Sequence, residues 1–155
     1  MKTKLLASGI LLLSMGVARA DAPGGIGSWR GTATSFDRDG KVSAEFSVEL
    51  ERRAVDEHSI DMHGQVVLTS GKVIEISQHI KHDGDRFSIE SNRGKGGGRC
   101  FGEGLCESYE DTGNGKGFAT TIILDAPGHM RLLTVELDHG EAVGFIRQSL
   151  TLIKK

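Results

Sequence analysis

Cysteine, proline and the large aromatics are nearly missing from this chain, with two Cys, two Pro, one Trp and one Tyr in 155 residues. Proline this scarce leaves no low-complexity tail or linker to mark a second domain. No heptad run, internal repeat or sustained helical period with caps at both ends is found. A long hydrophobic run is also lacking. The longest, Leu5 to Val17, falls short of the about 20 residues that span a bilayer as a helix. Basic charge is not in excess either, the formal net charge being −2. That balance argues against nucleic acid or anionic lipid as the main partner. Catalytic signatures are missing in turn: there is no G-x-S-x-G, no H-E-x-x-H and no paired-carboxylate pattern.

What is present starts at the N-terminus. Lys2 and Lys4 precede the apolar run, and Ala18-Arg19-Ala20 closes it. This is the pattern of a secretory signal with an A-x-A cleavage site. The expected organisation is a signal peptide over 1–20 and a single domain over 21–155, periplasmic or secreted. No cysteine follows the apolar run to carry a lipid anchor. Losing three basic residues and no acid takes the net charge from −2 to −5. In an oxidising compartment Cys100 and Cys106 are expected to form a disulfide. They lack the C-x-x-C spacing of a redox pair. Closing so short a loop contributes roughly 2–2.5 kcal/mol.

The mature segment is punctuated by Asp39-Gly40, Ser70-Gly71, Asp83-Gly84, Asn114-Gly115, Pro127-Gly128 and His139-Gly140. Between these turns lie segments rich in Val, Ile, Thr and Phe that alternate with period two. In Lys41 to Glu51, Val42, Ala44, Phe46, Val48 and Leu50 take one face, and Ser43, Glu45, Ser47, Glu49 and Glu51 the other. About eight to ten strands are counted, near 28–36, 41–52, 57–69, 72–82, 85–92, 105–112, 116–125, 129–138 and 142–153. The expected fold is all-β, a single antiparallel up-and-down barrel, with a two-sheet sandwich as the alternative. Acids on the outward face, Glu45, Glu49 and Glu51 among them, exclude an outer-membrane barrel.

Turn chemistry also predicts register. A type I′ hairpin at Asp39-Gly40 sets Phe46 opposite Ala33, Val48 opposite Gly31 and Leu50 opposite Trp29. The same logic pairs Ile80 with Phe87 and Gln78 with Ile89 around Asp83-Gly84. Around Pro127-Gly128 it pairs Ile122 with Leu133 and Thr120 with Val135. The inner wall is then expected to hold Trp29, Phe46, Val48, Leu50, Ile60, Met62, Ile74, Ile76, Ile80, Phe87, Ile89, Phe118, Ile122, Leu133 and Val135.

Gly27-Ser28-Trp29 at the start of the first strand resembles the G-x-W signature of the lipocalin and calycin group of small β-barrels. Arg30-Gly31 extends it toward the W-x-G opening of bacterial calycin-like domains. The resemblance implies a barrel with a ligand-holding interior, and an arginine packed over the tryptophan, for which Arg147 is the candidate. Its position between Ile146 and Gln148 nevertheless puts Arg147 on the outer face.

Candidate site residues follow from the faces. Gly31 and Ala33 are small and oppose Val48 and Phe46, so a cavity lined by these four with Trp29 is expected. Gln78 supplies a polar handle there. Trp29 itself reads first as a plug for the closed end. No metal site is assigned. Pairing across Ser70-Gly71 with positions summing to 142 sets His63 opposite His79, the one pair with a metal-ligand look. His82 reads as a rim residue beside a turn. Glu107, Glu110 and Asp111 read as a solvated face. The stretch Arg93 to Arg99 reads as a mobile loop, not a phosphate cradle, since it does not lead into a helix.

The expected function is a small exported barrel that binds a small apolar molecule in its interior, with no cofactor and no catalytic residue assigned. The alternative is a filled barrel that acts through its loops on another exported protein, using the stapled loop and the glycine-rich stretch.

Overall fold

Ten strands hydrogen-bond in sequence order and the tenth closes onto the first. A computed structural model describes residues 26–101 and 104–154; the expected signal peptide lies outside the described residues. The strands are β1 (Gly27–Asp37), β2 (Val42–Ala54), β3 (Ser59–Leu68), β4 (Val73–Asp83), β5 (Arg86–Ser91), β6 (Lys95–Cys100), β7 (Leu105–Gly113), β8 (Lys116–Ala126), β9 (His129–Asp138) and β10 (Glu141–Lys154). All neighbours are antiparallel, and the circuit runs without a crossover as a closed up-and-down barrel. Closure satisfies both edges that an open sheet would expose.

The β1–β2 pairs are the expected ones, with Trp29 opposite Leu50, Gly31 opposite Val48 and Ala33 opposite Phe46. The turn is not the expected two-residue one: it spans residues 38–40, closed by the Asp37 N–H on the Lys41 carbonyl, and a shift between Ser35 and Phe36 offsets the extra residue. At the β4–β5 hairpin the pairing moves by two, to Ile80 opposite Ile89, because Gly84 and Asp85 form the turn. A shift of two keeps every side chain on its face. The β8–β9 pairing differs in kind. Ala126 opposes His129 across Pro127-Gly128 as expected, but a bulge at Asp125 follows, and Ile122 then opposes Leu132. One extra residue reverses the faces beyond it. Leu132 and Thr134 therefore point inward, and Leu133 and Val135, expected on the inner wall, point out.

The glycine-rich stretch is the strand β6, paired with β5 and β7. Glycine carries no side chain to display alternation, so the sequence looks like a loop. Here the lack of side chains is what the barrel needs. A Cβ on Gly96 would collide with the Tyr109 carbonyl, and one on Gly98 with the Glu107 carbonyl and the Phe87 ring. The strand thus lies close against β7 with Phe87 packed across it.

At the end of the barrel where β1 begins, Trp29, Ala33, Val48, Leu50, Met130 and Leu150 form one buried cluster. Ile60, Ile80, Ile89 and Leu105 are buried as well, and the Cys100–Cys106 disulfide closes the β6–β7 connection. The outward face carries ion pairs rather than an apolar band: Arg30–Glu49, Arg53–Glu51, Lys95–Glu90 and Arg99–Asp85. No helix among the described residues is long and apolar enough to cross a membrane.

Candidate functional site

The interior divides into a packed floor and a half-open chamber above it. Trp29 is fully buried in the floor and acts as its plug. The space expected beside the first strand is taken up there. Ala33 and Val48 are buried against Leu50, Met130 and Leu150, and a Cβ on Gly31 would run into the Ser149 carbonyl of β10. Gly31 is what lets β10 approach that closely. Phe46 and Gln78 stand differently, since both face inward yet remain only half-buried.

Higher in the barrel the inward side chains stay accessible. Phe46, Val66, Ile76, Phe118 and Ile146 are half-buried, and Ile74 is 40% exposed although it alternates in phase with buried Ile80. An apolar side chain aimed at the barrel axis is covered only if something meets it from across the barrel. At this level nothing among the described residues does so completely.

Halfway round the barrel from β1, the chamber wall carries a polar group that the sequence did not announce. Glu110 on β7 is 4% exposed and points inward, opposite Gly96 and Phe118. Its reading as part of a solvated acidic face is corrected; its neighbour Asp111 does face solvent. Arg93 Nη2 donates to Glu110 Oε2 at 2.9 Å and Gln78 Nε2 donates to the same oxygen at 3.3 Å. The Ser91 hydroxyl donates to Oε1. Ser91 Oγ also accepts from the backbone N–H groups of Arg93 and Gly94, both at 3.0 Å. Buried carboxylates are tolerated when paired and hydrogen-bonded in this way. The Arg93 guanidinium lies 4.9 Å from the Phe118 ring centre, so the pair is roofed by a cation–π contact. Across β8 and β9, Thr120 and Thr134 share a hydroxyl hydrogen bond of 3.0 Å.

At the floor end, His82 also corrects its reading as a rim residue. It points inward, with both ring nitrogens buried and without a hydrogen-bond partner among the described residues, and its ring packs 5.7 Å from that of Phe87. Burial first, then the nearby Arg52 and His58 charges, depress its pKa to about 4. Burial likewise lowers the Arg52 guanidinium to about 10.

The outer face removes the metal pair. Positions on β3 and β4 pair two residues out of the expected register, so Asp61 opposes His79 and His63 opposes Ser77. His79 Nδ1 bonds Asp61 Oδ1 at 2.7 Å, and no cluster with metal-binding geometry is found among the described residues. His63 instead borders an open groove of about 520 Å³ across β1 to β4, where Arg30 and Glu49 already neutralise each other. Arg147 is on the outer face, stacked 5.6 Å over Phe36 rather than over Trp29.

No family model and no curated protein matches this chain. Solved structures do. The barrel resembles the S-type phycobiliprotein lyase CPES from Guillardia theta, with a TM-score of 0.61 and 13% identity over 84% of this chain and 88% of that one. It resembles a DUF3598-family protein of unknown function from Nostoc punctiforme, with a TM-score of 0.64 and 14% identity over 83% of this chain and 47% of that one. Rv2717c from M. tuberculosis matches with a TM-score of 0.62 and 11% identity over 82% and 91% of the two chains. At these identities the likeness is one of fold.

Proposed function

We propose that this chain is an exported, lipocalin-like barrel that holds a small apolar molecule in the chamber above its packed floor. One observation carries the reading: inward apolar side chains stay half-exposed in a barrel whose wall also holds the buried, hydrogen-bonded carboxylate of Glu110. Apolar walls with a few convergent polar groups are the usual make-up of a small-molecule pocket. Ten strands enclose more room than the eight that suffice to be filled or to hold one small ligand. Phe46 on β2 and Gln78 on β4 contribute to this chamber from one side of the barrel, whereas Trp29, Gly31, Ala33 and Val48 shape the floor beneath it. Further support comes from the fold shared with a phycobiliprotein lyase. Export rests on the N-terminal signal pattern and the disulfide expected of an oxidising compartment.

The test is titration of the purified protein with a fatty acid, a retinoid-like probe and a tetrapyrrole, read by ligand fluorescence or absorbance. At least one should bind, and Val66→Trp, which fills the chamber, should weaken that binding about tenfold while the far-UV spectrum stays that of the parent. Failure of all three probes to bind the unmodified protein overturns the reading.

A further inference from the structure

No nucleophile–base arrangement shows in the sequence, yet the barrel assembles one on its outer wall. His129 opens β9. With its proton on Nδ1 it donates to Asp125 Oδ1 at 2.6 Å, which leaves Nε2 to accept from Ser149 Oγ at 3.1 Å. Arg131 Nε holds the second oxygen of Asp125 at 2.7 Å, so the carboxylate is fixed from two sides. The bond from His129 is the main reason the Asp125 carboxyl lies below its ordinary range. These are the contacts of an acyl-transfer triad: a hydroxyl on a base, and the base oriented by an acid.

The β8–β9 bulge explains why they meet. Asp125 is the extra residue between the Leu124–Met130 and Ala126–His129 pairs, and a bulge of this kind re-aims a side chain. The same slip turns Leu133 outward. Ser149 faces Arg131 in the β9–β10 ladder, and Leu133 lies two residues along on the same face, opposite Arg147. A guanidinium and an apolar side chain therefore flank the hydroxyl. The site is open, with His129 37% and Asp125 31% exposed.

We propose that Ser149, His129 and Asp125 form a surface hydrolytic site for small, activated carboxylic esters. Ser149 Oγ bonds to the carbonyl carbon as His129 Nε2 takes its proton, and the carbonyl π pair moves onto oxygen beside the Arg131 guanidinium. The carbonyl re-forms, the bond to the leaving alcohol breaks, and that oxygen takes the proton from His129. A water then attacks the acyl carbon, giving a proton to His129. The bond from the acyl carbon to Ser149 Oγ breaks, the carboxylic acid departs, and His129 Nε2 returns its proton to Ser149 Oγ. Asp125 is the positioning residue. An open wall offers no deep subsite, so selectivity for leaving-group reactivity is expected rather than for acyl-chain length. This inference is independent of the interior ligand.

The full chain is incubated with p-nitrophenyl acetate and, separately, with a fluorophosphonate. Expected are hydrolysis above the buffer rate and one phosphonyl group, placed on Ser149 by peptide mass spectrometry. Ser149→Ala should abolish the label, and His129→Ala should slow labelling and hydrolysis about tenfold or more. Asp125→Ala should slow labelling of the same serine and move its pH profile. Ser88→Ala, an exposed serine on β5, should change nothing. No label on the unmodified protein, a label elsewhere, or a Ser149→Ala protein that hydrolyses as fast as its parent overturns the proposal. If a variant fails to fold, the position of the label on the parent decides alone.

Discussion

The floor and the chamber of this barrel share strands, closure and alternation, yet they differ in what their inward side chains touch. At the floor Trp29, Val48 and Leu150 are no more than 1% exposed. One or two steps along β2 and β10, inward Phe46 and Ile146 keep accessible surface, and on β4 inward Ile74 is 40% exposed. Period two decides which face a side chain takes; whether it is buried depends on what arrives from across the barrel. Trp29 fills the axis and its neighbours close on it. Above, inward Phe46, Ile74 and Ile146 are not covered completely from across the barrel. Stability should therefore concentrate in the floor and adaptability in the chamber.

The sharpest way to break this contrast is to truncate one aromatic in each region. Trp29→Ala removes a fully buried ring and should cost about 3–5 kcal/mol, measured by urea unfolding. Phe46→Ala, from the half-open wall, should cost about 1 kcal/mol, the transfer of a partly covered ring without a large cavity. Equal losses at the two positions would mean that the interior is packed throughout, and the chamber would vanish with the distinction.

The disulfide sits on the floor's side of the same comparison. Cys100 and Cys106 are both buried and bridge adjacent strands across the β6–β7 connection. Replacing both with serine should cost about 2 kcal/mol, because the cross-link closes a short loop in the unfolded chain. Probe binding in the chamber should survive, since its polar wall comes from Gln78, Ser91, Arg93 and Glu110. Loss of binding together with stability would show that floor and chamber form one cooperative unit.

Much of the barrel can be read from the chain because its strands state their faces. Val42 to Leu50 alternates without a break in the sequence, and the pairing it implies holds from Trp29–Leu50 to Ser35–Ala44, although a shift next to the turn brings Phe36 opposite Val42. Two kinds of feature stay hidden. Gly96 to Gly98 form a strand without side chains to mark it, so only the β5 and β7 partners reveal it. The bulge at Asp125 inserts one residue inside an otherwise regular pattern and reverses Leu132 and Leu133 with no change in composition. The polar sites are hidden for a different reason. Glu110 gathers partners from positions 78, 91 and 93, and His129 gathers one from 149. Such distances in sequence carry no spacing signature, and only closure of the barrel brings the groups together.

The smallest expected effect concerns His82 at the floor. Its ring nitrogens are enclosed without a partner among the described residues, and its pKa is depressed to about 4 against an ordinary value near 6.5. Above the ordinary value both folded and unfolded chains hold it neutral, so it adds no pH dependence. As the pH falls from about 6.5 toward 4, the unfolded chain binds a proton that the folded one refuses, and the balance shifts toward unfolding. The side chain is only partly buried, so solvent screening reduces the effect to about 1 kcal/mol over that window. His82→Leu keeps an apolar body at the floor and removes the titration. Its unfolding free energy should change less between pH 7 and pH 4 than that of the parent, by about that amount. Identical pH slopes for the two proteins would place His82 in contact with solvent and make the floor wetter than its packing implies.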